Sequence, residues 1–118
     1  MPYVDGFLLP VPKKNVAGYR RMAAAAGKIF RKHGAIEFRE CAGDDLNNKG
    51  MLPFPRAVRA KRGETVFFSY VVYKSRADRD RANAKIMKDP AIAKMMKKKP
   101  LFDAKRMYYG GFKVLVDA

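Results

Sequence analysis

Tyr3-Val4-Asp5-Gly6-Phe7, near the start of the chain, returns almost unchanged near its end as Tyr108-Tyr109-Gly110-Gly111-Phe112. Each pentapeptide begins a short run in which apolar residues alternate, the pattern of a half-buried strand. We expect the two runs to be antiparallel neighbours in one sheet, with glycines where the backbones come close. Most of the predicted fold follows from this pairing.

Two helices and one short helix are predicted between the two pentapeptides. The first has helical apolar spacing from Asn15, a residue suited to the N-cap, to Gly34, which suits a helix end. The second begins after a capping residue, Ser75, and runs to about Lys88. Asp89-Pro90 then begins the short helix, because aspartate caps well and proline fits the first turn.

Four strands complete the pattern. Pro10 and Pro12 are expected to end the first, because proline cannot donate to a sheet ladder. The order strand, helix, strand, strand, helix, strand predicts an α+β ferredoxin-like βαββαβ fold, with a four-stranded antiparallel sheet and both helices on one face. One domain spans residues 1–118, and the first and third strands are central. The strands are predicted over residues 3–11, 36–41, 65–73 and 107–116.

The third predicted strand is apolar on both faces. Two helices can cover only one face of the sheet, so the other face would expose large apolar side chains to water. Each such side chain would forgo about 1.5–3 kcal/mol of hydrophobic stabilisation. In a sheet with one face exposed to water, apolar and polar residues alternate along each strand, and residues 65–73 do not show this alternation. We therefore expect a homodimer in which two sheets pack face to face.

The charge of the chain is its unusual compositional feature, since 26 Lys and Arg face 11 Asp and Glu for a net +15. Residues 1–54 carry nine basic and five acidic side chains, and residues 55–118 carry seventeen and six. Such a field attracts polyanions, although it also suits an ordinary solvated surface. The candidate polyanion patch consists of Arg56, Arg59, Lys61, Arg62, Lys97, Lys98 and Lys99.

The same composition predicts a cytosolic protein. The start of the chain lacks a basic signal-peptide region, and its apolar runs are far shorter than the ~20 residues that span a bilayer. Cys41 is the only cysteine, so no internal disulfide can form, and a small buried apolar role is its expected one.

Five blocks of sequence carry a resemblance to a known family, namely residues 3–7, 40–45, 54–58, 75–80 and 102–112. Together they resemble the bacterial YbaA-like family, a domain of unknown function numbered 1428. The resemblance covers nearly the whole chain and implies a dimeric α+β barrel made of two ferredoxin-like units. The wider superfamily includes small monooxygenases, haem-degrading enzymes, isomerases and ligand-sensing modules, so the fold does not choose an activity.

Candidate chemistry rests on a few polar side chains. No cluster of His, Cys, Asp or Glu has metal-ligand spacing, and no cofactor is indicated. His33, in the last turn of the first helix, has a packing or capping role or serves as an acid or base. Asp5 would need a partner if buried, with Arg79, Lys105 or Arg106 available. The candidate ligand-binding residues are Asp5, Glu40, Ser69, Tyr70 and Tyr108.

Three functions remain open at this point. The first is binding or conversion of a small apolar or aromatic molecule in a cavity between the two sheets of the dimer. The second is polyanion binding through the basic patch, although no nucleic-acid-binding motif accompanies it. The third is an interaction protein without a pocket, with residues 42–63 as its contact surface. Because a one-residue slip moves each strand side chain to the opposite face, the sequence does not say which residues share a cavity.

Overall fold

A computed structural model describes all residues, 1–118, and contains the predicted order of elements. Two short 3₁₀ turns, Lys13–Asn15 and Ala104–Arg106, precede the first helix and the last strand. A four-residue helix lies in the long connection, where the sequence around Pro55 favours a helical turn. The elements are β1 (Tyr3–Pro12), α1 (Val16–Lys32), β2 (Glu37–Ala42), α2 (Phe54–Ala57), β3 (Glu64–Tyr73), α3 (Arg76–Met87), α4 (Pro90–Met96) and β4 (Tyr108–Lys113).

The four strands form one antiparallel sheet in the order β2-β3-β1-β4. β1 and β3 are therefore central, and the two pentapeptides are neighbours, with Gly6 opposite Gly110 and Phe7 opposite Tyr109. The ferredoxin-like α+β fold predicted from the sequence is confirmed.

Alternate residues of each strand point to opposite sides of the sheet. One side, which we call the helix face, packs Leu9 and Phe67 against Tyr19 of α1, and Val71 and Tyr73 against α3. The other side, which we call the open face, carries no helix layer. Its large side chains include Phe68, Tyr108 and Phe112, which are 49%, 57% and 61% exposed.

Each pentapeptide supplies the aromatic ring that covers a glycine of the other. Tyr3 lies over Gly111 on the helix face, where an added Cβ would be 2.8 Å from Tyr3 Cε2. Phe112 lies over Gly6 on the open face, where an added Cβ would be 3.4 Å from the Phe112 ring. The glycines therefore make room for an aromatic ring of the neighbouring strand, so each pentapeptide packs against the other.

Pro10 lies inside β1 and does not end it, contrary to the sequence prediction, whereas Pro12 is the last residue of the strand, as that prediction expected. β4 pairs with β1 only as far as Leu8, so the rest of β1 has β3 on one side and no strand on the other. The amide of Lys13 donates to the Gly63 carbonyl on the β3 side. Because backbone nitrogens point to alternate sides along a strand, the nitrogens of Pro10 and Pro12 point away from β3, to the side that pairs with no strand. Proline is tolerated at such an edge because no hydrogen bond is lost.

The helix starts follow the sequence prediction at two of three places. Ser75 accepts from the Asp78 amide and Asp89 accepts from the Ala91 amide, as capping residues do. Asn15 precedes α1 but does not cap it, because its backbone is already helical within the 3₁₀ turn. Its side-chain amide instead donates to the Leu101 carbonyl at 2.9 Å.

Candidate functional site

The structure divides the five predicted ligand-binding residues between the two faces of the sheet. Asp5, Glu40 and Ser69 point to the helix face, whereas Tyr70 and Tyr108 point to the open face. The division follows from register, because Ser69 and Tyr70 are consecutive in β3 and consecutive side chains alternate. One pocket cannot contain all five, so two separate sites must be considered.

The open face carries an apolar cavity of about 600 Å³. The connection between β2 and β3 contributes Phe54, whose ring centroid lies 6.5 Å from that of Phe68. The Tyr108 hydroxyl donates to the Ala57 carbonyl at 3.0 Å, which ties the edge of the cavity to α2. An apolar or aromatic molecular surface can pack against this lining. Its lining includes Val4, Leu8, Phe54, Phe68, Tyr70, Tyr108 and Phe112.

The helix face carries a second cavity, of about 460 Å³, between α1 and the β2–β3 edge of the sheet. Nine residues line it, and Arg20 and Glu40 are the only charged ones. Phe38 and Phe67 supply aromatic walls on the strand side. We call this cavity the α1 groove.

Glu40 is held at the α1 groove by two hydroxyl groups. The Tyr19 hydroxyl donates to Glu40 Oε1 at 2.8 Å, and the Ser69 hydroxyl donates to the same oxygen. Burial raises the pKa of Glu40, and the two hydrogen bonds oppose that rise. Burial, followed by the charge of Glu40, also raises the pKa of Tyr19. Tyr19 was not among the residues selected from the sequence, because its partner lies 21 positions away.

Asp5 belongs to a polar cluster that packs beneath α3. Arg79 Nη1 lies 3.3 Å from Asp5 Oδ1, and the same guanidinium donates to the hydroxyls of Tyr109 at 2.7 Å and Tyr3 at 3.3 Å. Burial raises the pKa of Asp5, and the Arg79 charge opposes that rise. The Tyr73 hydroxyl beneath the cluster is buried without a hydrogen-bond partner. Of the three partners considered for Asp5 from the sequence, the structure selects Arg79.

Arg106, another of those three, has a different role. Its guanidinium makes two hydrogen bonds to the carboxylate of Glu64, at 2.8 and 2.7 Å, and a third to Asp103 at 3.0 Å. The pair fixes the turn before β4 to the start of β3. Hydrogen bonding from Arg106 lowers the pKa of Glu64. In the sequence, only the Asp103-x-x-Arg106 spacing could have indicated that Arg106 takes part in an ion pair.

His33 joins the end of α1 to the start of α4. Its Nε2 lies 2.8 Å from Asp89 Oδ2, while the other Asp89 oxygen caps α4. Hydrogen bonding from His33 lowers the pKa of Asp89. The contact gives His33 a structural role between two helix ends, and its acid–base role stays a prediction.

The seven residues of the predicted polyanion patch lie in two separate segments. Arg56, Arg59, Lys61 and Arg62 belong to the stretch that leads into β3, whereas Lys97, Lys98 and Lys99 follow α4. None of their side chains takes part in a hydrogen bond or salt bridge that would join the segments. No specific observation favours a nucleic-acid function.

Cys41 is exposed on the open-face side of β2, opposite Phe68, and is not the buried apolar residue expected from the sequence. β2 is an edge strand, so its side chains receive less cover than those of β3. No group of three or more His, Cys, Asp or Glu side chains is placed to hold a metal ion. None of the helices has the length and apolarity needed to cross a membrane.

Comparisons with known proteins agree with this fold. An uncharacterised protein, YbaA of Escherichia coli strain K12, is 42% identical over 117 residues, with 99% of each chain covered. The structure of the haem-degrader MhuD from Mycobacterium tuberculosis, which has two haems bound in its active site, is 18% identical with a TM-score of 0.56, and 98% of each chain is covered.

A dimeric ferredoxin-like protein from an uncultured marine organism is 13% identical with a TM-score of 0.55, and all of both chains is covered. At such identities these two solved structures show the fold alone. The family model for a protein of unknown function, DUF1428, matches residues 2–104. With this match and the full-length similarity to YbaA, the chain belongs to the DUF1428 family.

Proposed function

We propose that the chain forms a homodimer in which two open faces meet and enclose a cavity for a small apolar or aromatic molecule. The observation that carries this proposal is the cavity of about 600 Å³ on the sheet face that α1 and α3 leave uncovered. The volume lies within the roughly 300–1,000 Å³ that is usual for small-molecule sites.

A second copy of the chain is the occupant that best fits the open face. The Cα atoms extend over 39 × 38 × 20 Å, so the molecule is a slab with one broad side free. A side of that size can bury the roughly 800 Å² per partner that is usual in stable complexes. Aromatic side chains such as Phe68 and Phe112 are enriched in interface cores, and monomers rarely leave so many together in water.

The chemistry of the cavity favours an apolar ligand with few hydrogen-bonding groups. Phe68 and Tyr70 lie with ring centroids 6.2 Å apart and supply flat aromatic walls. The Tyr108 hydroxyl already donates to Ala57, which leaves the Tyr70 hydroxyl as the nearby polar group free to orient a ligand. The haem bound by the MhuD relative and the dimeric state of the marine relative support the proposal as precedents on this fold. The exposed thiol of Cys41 fits a reducing compartment, so we place the protein in the cytosol.

Sedimentation equilibrium at micromolar concentration tests the dimer. We expect the wild type to sediment with twice the chain mass of 13.4 kDa and Phe112→Glu to sediment as a monomer, because the added charge would be buried between two sheets. Met87→Glu is the matched control, since Met87 is a 66% exposed apolar side chain of α3, in the helix layer. A monomeric wild type would overturn the proposal.

Thermal-shift measurements with small aromatic compounds and haem test the ligand class. We expect a stabilising compound to raise the unfolding temperature of the wild type and to lose its effect with Phe112→Glu. A structure of the dimer whose interface is filled by side chains, together with no stabilising compound, would contradict the ligand part while leaving the dimer intact.

A further inference from the structure

The α1 groove shares no lining residue with the open-face cavity, and nothing in the proposed function uses it. Its walls are mostly apolar, and its two charged residues have opposite signs, Glu40 from β2 and Arg20 from α1. A cavity with few polar groups on apolar walls is the usual form of a site that orients a small ligand.

Glu40 has the features of a group that receives a ligand. In a chain with 26 basic residues, this carboxylate forms no salt bridge. Both hydroxyl donors, from Tyr19 and Ser69, bind Oε1, and Oε2 accepts no hydrogen bond. Oε2 is not fully buried either, so it keeps some accessible surface in a residue that lines the groove. A carboxylate fixed through one oxygen and free at the other is prepared to accept a donor group from outside.

Arg20 supplies the complementary charge at the outer part of the groove. It is exposed and makes no hydrogen bond or salt bridge, whereas Glu40 is partly buried. Ala23 and Ala24, on the same side of α1, leave open space between the helix and the aromatic walls. Arg20 is therefore the more exposed and Glu40 the more buried of the two charged groups that line this apolar groove.

We propose that the α1 groove is a second binding site, specific for a zwitterionic amino compound with an apolar body, such as an apolar amino acid. The protonated amine donates to Glu40 Oε2, the carboxylate faces the Arg20 guanidinium, and the apolar side chain lies against Phe38 and Phe67. The groove volume of about 460 Å³ accommodates a molecule of this size.

Isothermal titration calorimetry with three matched probes tests the proposed specificity. We expect L-phenylalanine to bind saturably, and 3-phenylpropionate, which lacks the amine, to bind at least tenfold more weakly, because a charge-assisted hydrogen bond is lost. Phenethylamine, which lacks the carboxylate, should bind about two- to fivefold more weakly, since Arg20 is exposed. Equal binding of L-phenylalanine and 3-phenylpropionate, or no saturable binding of L-phenylalanine at millimolar concentrations, would overturn the proposal.

Three variants then assign the site. Glu40→Gln should weaken L-phenylalanine binding tenfold or more while keeping an oxygen for Tyr19 and Ser69, with its thermal unfolding checked alongside. Ala24→Phe, at an exposed position, should abolish binding by filling the groove even where Glu40→Gln proves unstable. Phe112→Ala is the control on the open face and should leave binding unchanged. Binding that Ala24→Phe leaves intact, or that Phe112→Ala removes, would show that the site lies elsewhere.

Discussion

The two pentapeptides have almost the same sequence and face opposite environments. Tyr3 and Phe7 of the first copy point to the helix face, whereas Tyr108 and Phe112 of the second copy point to the open face. Tyr3 is 7% exposed and Phe112 is 61% exposed. The comparison teaches that the local pattern specifies a strand, while the register with neighbouring strands decides which layer each side chain joins.

Two consecutive leucines of β1 provide the largest test of this difference. Leu9 lies on the helix face at 2% exposure, and Leu8 lies on the open face. We expect Leu9→Ala to lower the free energy of unfolding by about 2–5 kcal/mol, because it leaves a cavity in the core. Leu8→Ala should cost the monomer about 1 kcal/mol or less. Urea unfolding at low protein concentration measures both, and equal losses would break the distinction between the faces.

Two consecutive glycines of β4 provide a second, smaller test. Gly111→Ala places a methyl group 2.8 Å from the buried ring of Tyr3, so we expect a loss of about 1–3 kcal/mol in the free energy of unfolding. Gly110→Ala meets the exposed ring of Phe112 at 3.5 Å, an ordinary contact, and should change stability by about 0.5 kcal/mol or less. A larger loss for Gly110→Ala than for Gly111→Ala would show that Phe112 is the more rigid ring.

The smallest test uses the carboxylate that only the first pentapeptide carries. Asp5 is buried, and its pKa is raised by that burial more than Arg79 lowers it. A raised pKa means that the folded state holds its proton where the unfolded state has lost it. Relative to Asp5→Asn, the wild type should therefore gain stability as the pH falls from neutrality through the folded pKa, with no further gain below the ordinary aspartate range.

Urea unfolding of both chains across that pH interval measures the Asp5 contribution. The opposite slope, with the wild type losing stability relative to Asp5→Asn on acidification, would mean that the Arg79 ion pair outweighs burial.

The sequence predicts the element order well because its periodic signals are local and strong. The nine-residue apolar run of β3 and the Ser75 and Asp89 caps each have one reasonable interpretation. The bounds of β1 are predicted to within one residue, but Pro10 was wrongly expected to help end the strand, because the sequence does not show that β4 is shorter than β1.

The candidate sites were harder to predict because their geometry depends on residues far apart in the chain. Ser69 and Tyr70 were both candidate ligand-binding residues, but the sequence left their faces open, and alternation places them on opposite sides of the sheet. The two hydroxyls on Glu40 come from α1 and β3, and the Arg106 partner Glu64 is 42 residues away. Such pairings follow from register and helix placement, which a single sequence does not specify.

The prolines of β1 have a consequence for how copies of the chain meet. Beyond Leu8, the side of β1 away from β3 pairs with no strand, and an unpaired strand edge normally offers amide donors to another strand. Pro10 and Pro12 remove the donors at those positions, so another chain cannot extend the sheet there by adding a strand. The prolines therefore favour the proposed face-to-face dimer over growth of the sheet by added strands.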